Sequence, residues 1–108
     1  MAFKMTQKPT FAAAVVVNVA NDKGGFDKNT FTAIFKRFTT DQLSEMRNLT
    51  NDDLVPKVLT DWDLKDAETN EAVPFTSANL DAVLQVTPAP MAIAVAFWES
   101  VNGARSKN

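Results

Sequence analysis

The stretch FAAAVVVNVANDKGGFDKNTFTAIFKRF, Phe11 to Phe38, decides how the rest of the chain can fold. Phe11, Ala13, Val15, Val17 and Val19 alternate on one face, and β-branched residues are frequent, so the segment to Ala20 reads as a strand. Asn21 to Gly25 reads as a turn, because its two glycines accept positive φ. A second strand is expected over Thr30 to Phe38, rich in Thr, Phe and Ile, closing a β-hairpin with a longer loop. The other face of the first strand, Ala12, Ala14 and Val16, is also apolar. A two-stranded hairpin is marginal by itself. Helices must therefore cover it, or it lends an edge to another chain.

The remaining length supports one domain with a real but modest core: the chain has 108 residues, 45% of them hydrophobic. The net charge of −2 gives no electrostatic grip on nucleic acid. Cys, His and Tyr are all absent. That removes disulfides, thiol nucleophiles, thiolate metal sites, the commonest general base and the commonest transition-metal ligand. Lys4 and Lys8 ahead of the apolar Phe11–Ala20 run have the order of a secretory signal. Pro9 interrupts that run's start, and Asn18 stands where cleavage after Ala20 wants a small residue, so the strand reading is kept. The next apolar run, Met91 to Trp98, falls far short of the ~20 residues of a membrane span. Asn48-Leu49-Thr50 fits a glycosylation pattern that has meaning only in a secreted chain.

From Thr39 the spacing turns helical. Thr39 with Gln42 forms a capping box, and Phe38 and Leu43 fall at staple positions. Leu43, Met46 and Leu49 give this helix a short apolar stripe. Asp53 is the expected cap of a second helix, with Pro56 in its first turn. Leu54, Val55, Val58, Leu59 and Trp62 share one helical face, so Trp62 is expected to end that helix. Asp63 to Val73 is a polar excursion, and Asp61 to Leu80 as a whole reads as a solvated connector. Thr76 caps a third helix whose buried face is Leu80, Val83 and Leu84. Thr87-Pro88-Ala89-Pro90 then sets up a fourth helix, Met91 to about Val101, apolar nearly all round, with Gly103 at its C-cap. The expected class is α+β: an N-terminal β-hairpin followed by about four short helices, mainly α. Residues 1–10 are a flexible lead-in, 11–38 the hairpin, 39–102 the helical part and 103–108 a flexible basic tail.

No segment assembles a catalytic site. Counted as a calcium loop from Asp61, the run puts Lys65 at position 5, Asp66 at position 6 and Ala72 at position 12, where oxygen, glycine and carboxylate are required. Asp61, Asp63, Asp66 and Glu68 lack the cleft that separates the pKa values of an acid–base pair. Ser44, Ser77, Ser100 and Ser106 lie in no nucleophile elbow. Gly24-Gly25 has no phosphate-loop context, and Lys36-Arg37 is too small for a nucleic-acid stripe. No catalytic, cofactor or metal residue is assigned, and a non-enzymatic role is expected. Met91, Ile93, Phe97 and Trp98 combine core character with the Met and aromatic side chains favoured at contact cores.

Read in order, FTAIFKRFTTDQL (Phe31–Leu43), DDLVPKVLTDW (Asp52–Trp62), a polar acidic stretch, PFTSANLDAVL (Pro74–Leu84) and a Pro-preceded apolar helix ending FWES (Phe97–Ser100) resemble the tail assembly chaperones of long-tailed bacteriophages. The resemblance covers about residues 11–102 and lies in the succession rather than in one motif. Two departures stand out. Asp61 precedes Trp62 where the family tends to have glycine, and Glu68-Thr69-Asn70-Glu71 replaces an Asp-Gly-like turn.

The resemblance implies a protein that acts in the host bacterial cytoplasm and is generally absent from the virion. Its implied partners are the tape measure protein, which it keeps soluble, the tail tube protein, which it helps recruit, and copies of itself. Many members also exist as a longer frameshift product. Neither nucleic acid nor membrane is implied as a partner. On this basis Met91, Ile93, Phe97 and Trp98 are the candidate client-binding residues, and Val15, Val16, Val17, Phe31 and Phe35 the candidate self-association residues. A structural tail or head–tail joining protein, and an unrelated small α+β adaptor, are the competing expectations.

Overall fold

Alternating side chains and an uncharged, β-branched run produce strand β1 (Thr10–Ala20), and the shorter-range Thr, Phe and Ile pattern produces β2 (Phe26–Lys36). They pair antiparallel in unbroken register from Thr10 with Lys36 to Ala20 with Phe26. β2 thus starts earlier and stops earlier than the expected Thr30–Phe38, because the turn is tighter than its length suggests. The Asn21 side-chain oxygen accepts from the Lys23 and Gly25 amides at 3.0 Å each, and Gly24 takes φ +83°, a value that favours glycine. The fold is seen in a computed structural model that describes residues 2–103. Met1 and the tail beyond Gly103 lie outside the described residues.

Helix α1 (Thr40–Met46) starts as expected. The Thr39 hydroxyl accepts from the Gln42 amide at 3.2 Å, and the Gln42 side chain accepts from the Thr39 amide at 2.9 Å, a reciprocal capping box. Helix α2 (Asn51–Val58) is capped by Thr50, not Asp53: the Thr50 hydroxyl accepts from the Asp53 amide at 3.2 Å. Starting three residues earlier leaves Pro56 inside the helix rather than in its first turn. Without its N–H the proline removes one i→i−4 bond, and α2 ends two residues later.

The largest departure from the sequence expectation is a third strand. Trp62 does not end α2; it lies in β3 (Leu59–Asp63), which pairs antiparallel with β2 and gives the sheet order β1-β2-β3. The segment expected to be the helical part, 39–102, therefore contains a strand. Leu54, Val55, Val58, Leu59 and Trp62 are all buried as their spacing requires, but two different elements bury them. A bulge explains how. Phe35 faces Leu59 while the neighbouring Ile34 faces Asp61, so Thr60 is an extra residue, its hydroxyl donating to the Ile34 carbonyl at 3.1 Å. A bulge resets the two-residue alternation, and Leu59 and Trp62, three apart, both point inward. Their spacing is that of a helix; their backbone is not.

The acidic stretch after β3 is exposed, as expected, yet ordered. The Val73 amide donates to the Leu64 carbonyl at 2.8 Å and the Asp66 amide to the Glu71 carbonyl at 2.9 Å. Asp66 Oδ1 accepts from the amides of Glu68 and Thr69. Asn70 takes φ 60°, a left-handed position that Asn tolerates better than most residues; it fills the place of the glycine that the turn lacks. Asp61 to Leu80 is thus the end of β3, a narrow hairpin and the start of α3 rather than a plain connector.

Helix α3 (Ser77–Leu84) is capped by Thr76, whose hydroxyl accepts from the Asn79 amide at 3.1 Å. Leu80, Val83 and Leu84 are half-buried against the core rather than fully covered. Helix α4 (Ala89–Val101) runs under the sheet, and Gly103 follows its last turn with φ +71°. Phe97 is the hub of the core: its ring centroid lies 5.3 Å from Phe35, 6.1 Å from Phe11, 6.4 Å from Phe38 and 5.2 Å from Trp98. Burying one such ring is worth about 2–3 kcal/mol. The class is α+β, with a three-stranded antiparallel sheet and four helices among the described residues.

Candidate interaction surface

The two edges of the sheet differ in length, charge and hydrogen bonding. β3 is five residues long and carries Asp61 and Asp63, both exposed. Trp62 faces Ala33 across the ladder, and the Trp62 amide is taken by the Asp61 carboxylate at 2.8 Å. Acids, a bulge and a short span are the usual means of making an edge unattractive to another strand.

β1 has none of these. Its eleven residues, TFAAAVVVNVA, include no charge and no proline. The direction of its backbone groups follows from the bonds that flank the ladder. The Arg37 amide donates to the Pro9 carbonyl at 2.8 Å, and the Asn21 amide to the Gly25 carbonyl at 3.0 Å. Both pairs lie on the same register as the β1–β2 ladder. In an antiparallel pair, bonded positions alternate with unbonded ones. The odd-numbered residues of β1 therefore bond to β2, and Thr10, Ala12, Ala14, Val16, Asn18 and Ala20 point their N–H and C=O groups away from it. All six residues are exposed. Among the described residues, no group bonds to these outward amides and carbonyls.

Beside this edge runs a groove of about 580 Å³, with Ala14, Val16 and Asn18 on the strand side and Met91, Val95 and Glu99 on the α4 side. An apolar helix in a small domain cannot cover every side of itself, and here the uncovered side is this one. Met91 is 56% and Val95 46% exposed. They are one helical turn apart and form a single ridge.

The candidate client residues are accordingly divided. Met91 is on the surface, whereas Ile93 and Phe97 are fully buried in the core and cannot touch a partner in this fold. Trp98 is half-buried, and the Arg47 guanidinium lies over its ring at 5.2 Å, a cation–π contact that covers it. Among the candidate self-association residues, Val15, Val17 and Phe35 are core, Phe31 is half-buried 6.2 Å from Trp62, and Val16 alone is exposed. Burial decides each case, because residues of one apolar run alternate between the covered and the open face. Val95 belongs to the exposed ridge and was missed, although the sequence carries a signal for it: Glu99, the one charged residue of α4, stands one turn beyond Val95 on the same face.

No family model, curated protein or solved structure matches this chain. The surface must therefore be judged on its chemistry. Among the described residues, no three His, Cys, Asp or Glu side chains converge on a point that could hold a metal ion. No single described helix is long and apolar enough to cross a membrane, and α3 and α4, apolar as a pair, are bent by 101°. What the surface offers is apolar contact area and unpaired strand backbone.

Proposed function

We propose that this chain is a tail assembly chaperone of a long-tailed bacteriophage. It acts without catalysis, holding the tape measure protein soluble in the host cytoplasm while the tail is built and helping to recruit tail tube subunits. Two things support the reading: the succession of segments from Phe31 to Ser100, and an apolar ridge, Met91 and Val95, open beside the β1 edge. The ridge carries the mechanism. A long helical client exposes apolar stripes that aggregate unless covered. A rigid helix face that carries Met91 adapts to many such stripes, because Met is unbranched and polarisable. Ile93 and Phe97 hold that face in place from below.

The test is co-expression with the tape measure protein of the same phage, followed by affinity purification and light-scattering mass. A soluble complex, with the client insoluble when expressed alone, is the expected result. A client that is soluble alone and ignores this chain would overturn the reading. Stoichiometric amounts of the chain in purified particles would point instead to a structural tail protein.

A further inference from the structure

We propose that the β1 edge is a homodimer seam, at which the same strand of a second copy pairs antiparallel about a two-fold axis through Val15. This does not rest on the chaperone reading.

Three observations select a second copy as the occupant. The first is register. An axis through Val15 sets Thr10 against Ala20 of the second copy, Ala12 against Asn18 and Ala14 against Val16. Every such pair is even-numbered on both sides, and the even-numbered residues are those whose N–H and C=O point outward. The whole free edge is then bonded, with no overhang. The second is size. Three alanines, Ala12 to Ala14, precede the centre of β1 and Val16, Val17 and Val19 follow it, with Phe11 the one large side chain ahead of the alanines and set against Val19. Antiparallel pairing about Val15 sets each small residue against a larger one, Ala13 against Val17 and Ala14 against Val16. Parallel pairing would stack valine on valine and leave the alanines facing each other. The third is charge. Identical strands brought together about a two-fold suffer most from like charges, and none occurs between Thr10 and Ala20.

The geometry also closes. A two-fold contact uses up the same patch on both copies. The sheet edges left over are the two β3 strands, each short, bulged and acidic. Growth beyond a six-stranded sheet is disfavoured there. The groove supplies room for the incoming strand. Because Val15 of both copies faces the same side of the joined sheet, both α4 helices lie on that side, and their Met91–Val95 ridges flank the seam.

The test is sedimentation equilibrium of the full chain with two edge variants. The wild type is expected at twice its 11.8 kDa mass. Ala14→Pro removes an outward N–H without touching the β2 ladder, a position where edge strands tolerate proline. Ala14→Lys leaves the backbone intact and places a charge on the seam. Both variants are expected to be monomers with unchanged far-UV circular dichroism; if the proline variant does not fold, the lysine variant decides. The register is read separately. The chain has no cysteine of its own, so an equal mixture of Ala14→Cys and Val16→Cys proteins is expected to cross-link on oxidation far faster than either alone. A wild type that is monomeric at every concentration would overturn the proposal. So would folded Ala14→Lys protein that still dimerises, or cross-linking of either cysteine variant alone as fast as the mixture.

Discussion

The indole Nε1–H of Trp62 donates to the carbonyl oxygen of Val73 at 2.7 Å, tying the third strand to the far end of the acidic hairpin. The same ring meets Phe75 edge-on at 4.8 Å, just before α3 begins. One side chain thus joins the sheet, the hairpin and the third helix. Replacing Trp62 by Phe keeps most of the ring and orphans the carbonyl. The expected cost is about 1–2 kcal/mol in urea unfolding. Trp62→Ala, which also empties the site, is expected to cost about 3–5 kcal/mol. Equal small losses for both variants would mean that the indole holds nothing together.

The start of α2 gives a sharper comparison. Thr50→Ala removes the cap hydroxyl and is expected to lower stability by about 1 kcal/mol. Asp53→Ala removes only a first-turn acid interacting with the helix dipole, a few tenths of a kcal/mol at an exposed site. Denaturation midpoints of the two variants measure the difference directly. The reverse order would place the cap at Asp53 after all.

Phe97 and Met91 stand six residues apart on one helix, one in the core and one on the surface. Phe97→Ala is expected to cost about 3–5 kcal/mol of stability, since four aromatic neighbours lose their common partner. Met91→Ser and Val95→Asn are expected to change stability by no more than about 0.5 kcal/mol, as surface changes usually do. In pull-down with co-expressed tape measure protein, the double variant Met91→Ser/Val95→Asn is expected to lose most of the client while remaining folded. Undiminished capture by a folded double variant would remove α4 as the client surface.

Asn70 provides a test in the opposite direction. Its φ of 60° lies in the left-handed region, and Asn70→Gly relieves the strain that a side chain carries there. A gain of up to about 1 kcal/mol is expected from thermal unfolding. Asn70→Val, β-branched and intolerant of positive φ, is expected to lose stability. Indifference to both substitutions would show that the hairpin is not held at that residue.

Local chemistry was enough to determine much of this protein. Thr39 with Gln42, and Thr76 before Ser77, specify helix starts because a hydroxyl and the amides it caps are neighbours in the chain. The Asn21–Gly25 turn and the alternation of β1 are equally short-range, and the α+β class follows from them. Burial of Leu54, Val55, Val58, Leu59 and Trp62 was also legible, since apolar spacing reports which residues leave water. The backbone that buries them was not. Leu59 and Trp62 are three residues apart in either a helix or a bulged strand, and only the presence of β2, with an edge to be paired, selects the strand. The exposed side of α4 was only partly legible. Glu99, its one charged residue, marks the face that carries Met91 and Val95, but how much of that face stays open depends on where the sheet ends. Only the tertiary structure decides that, because a sheet edge is defined by partners that are distant in sequence.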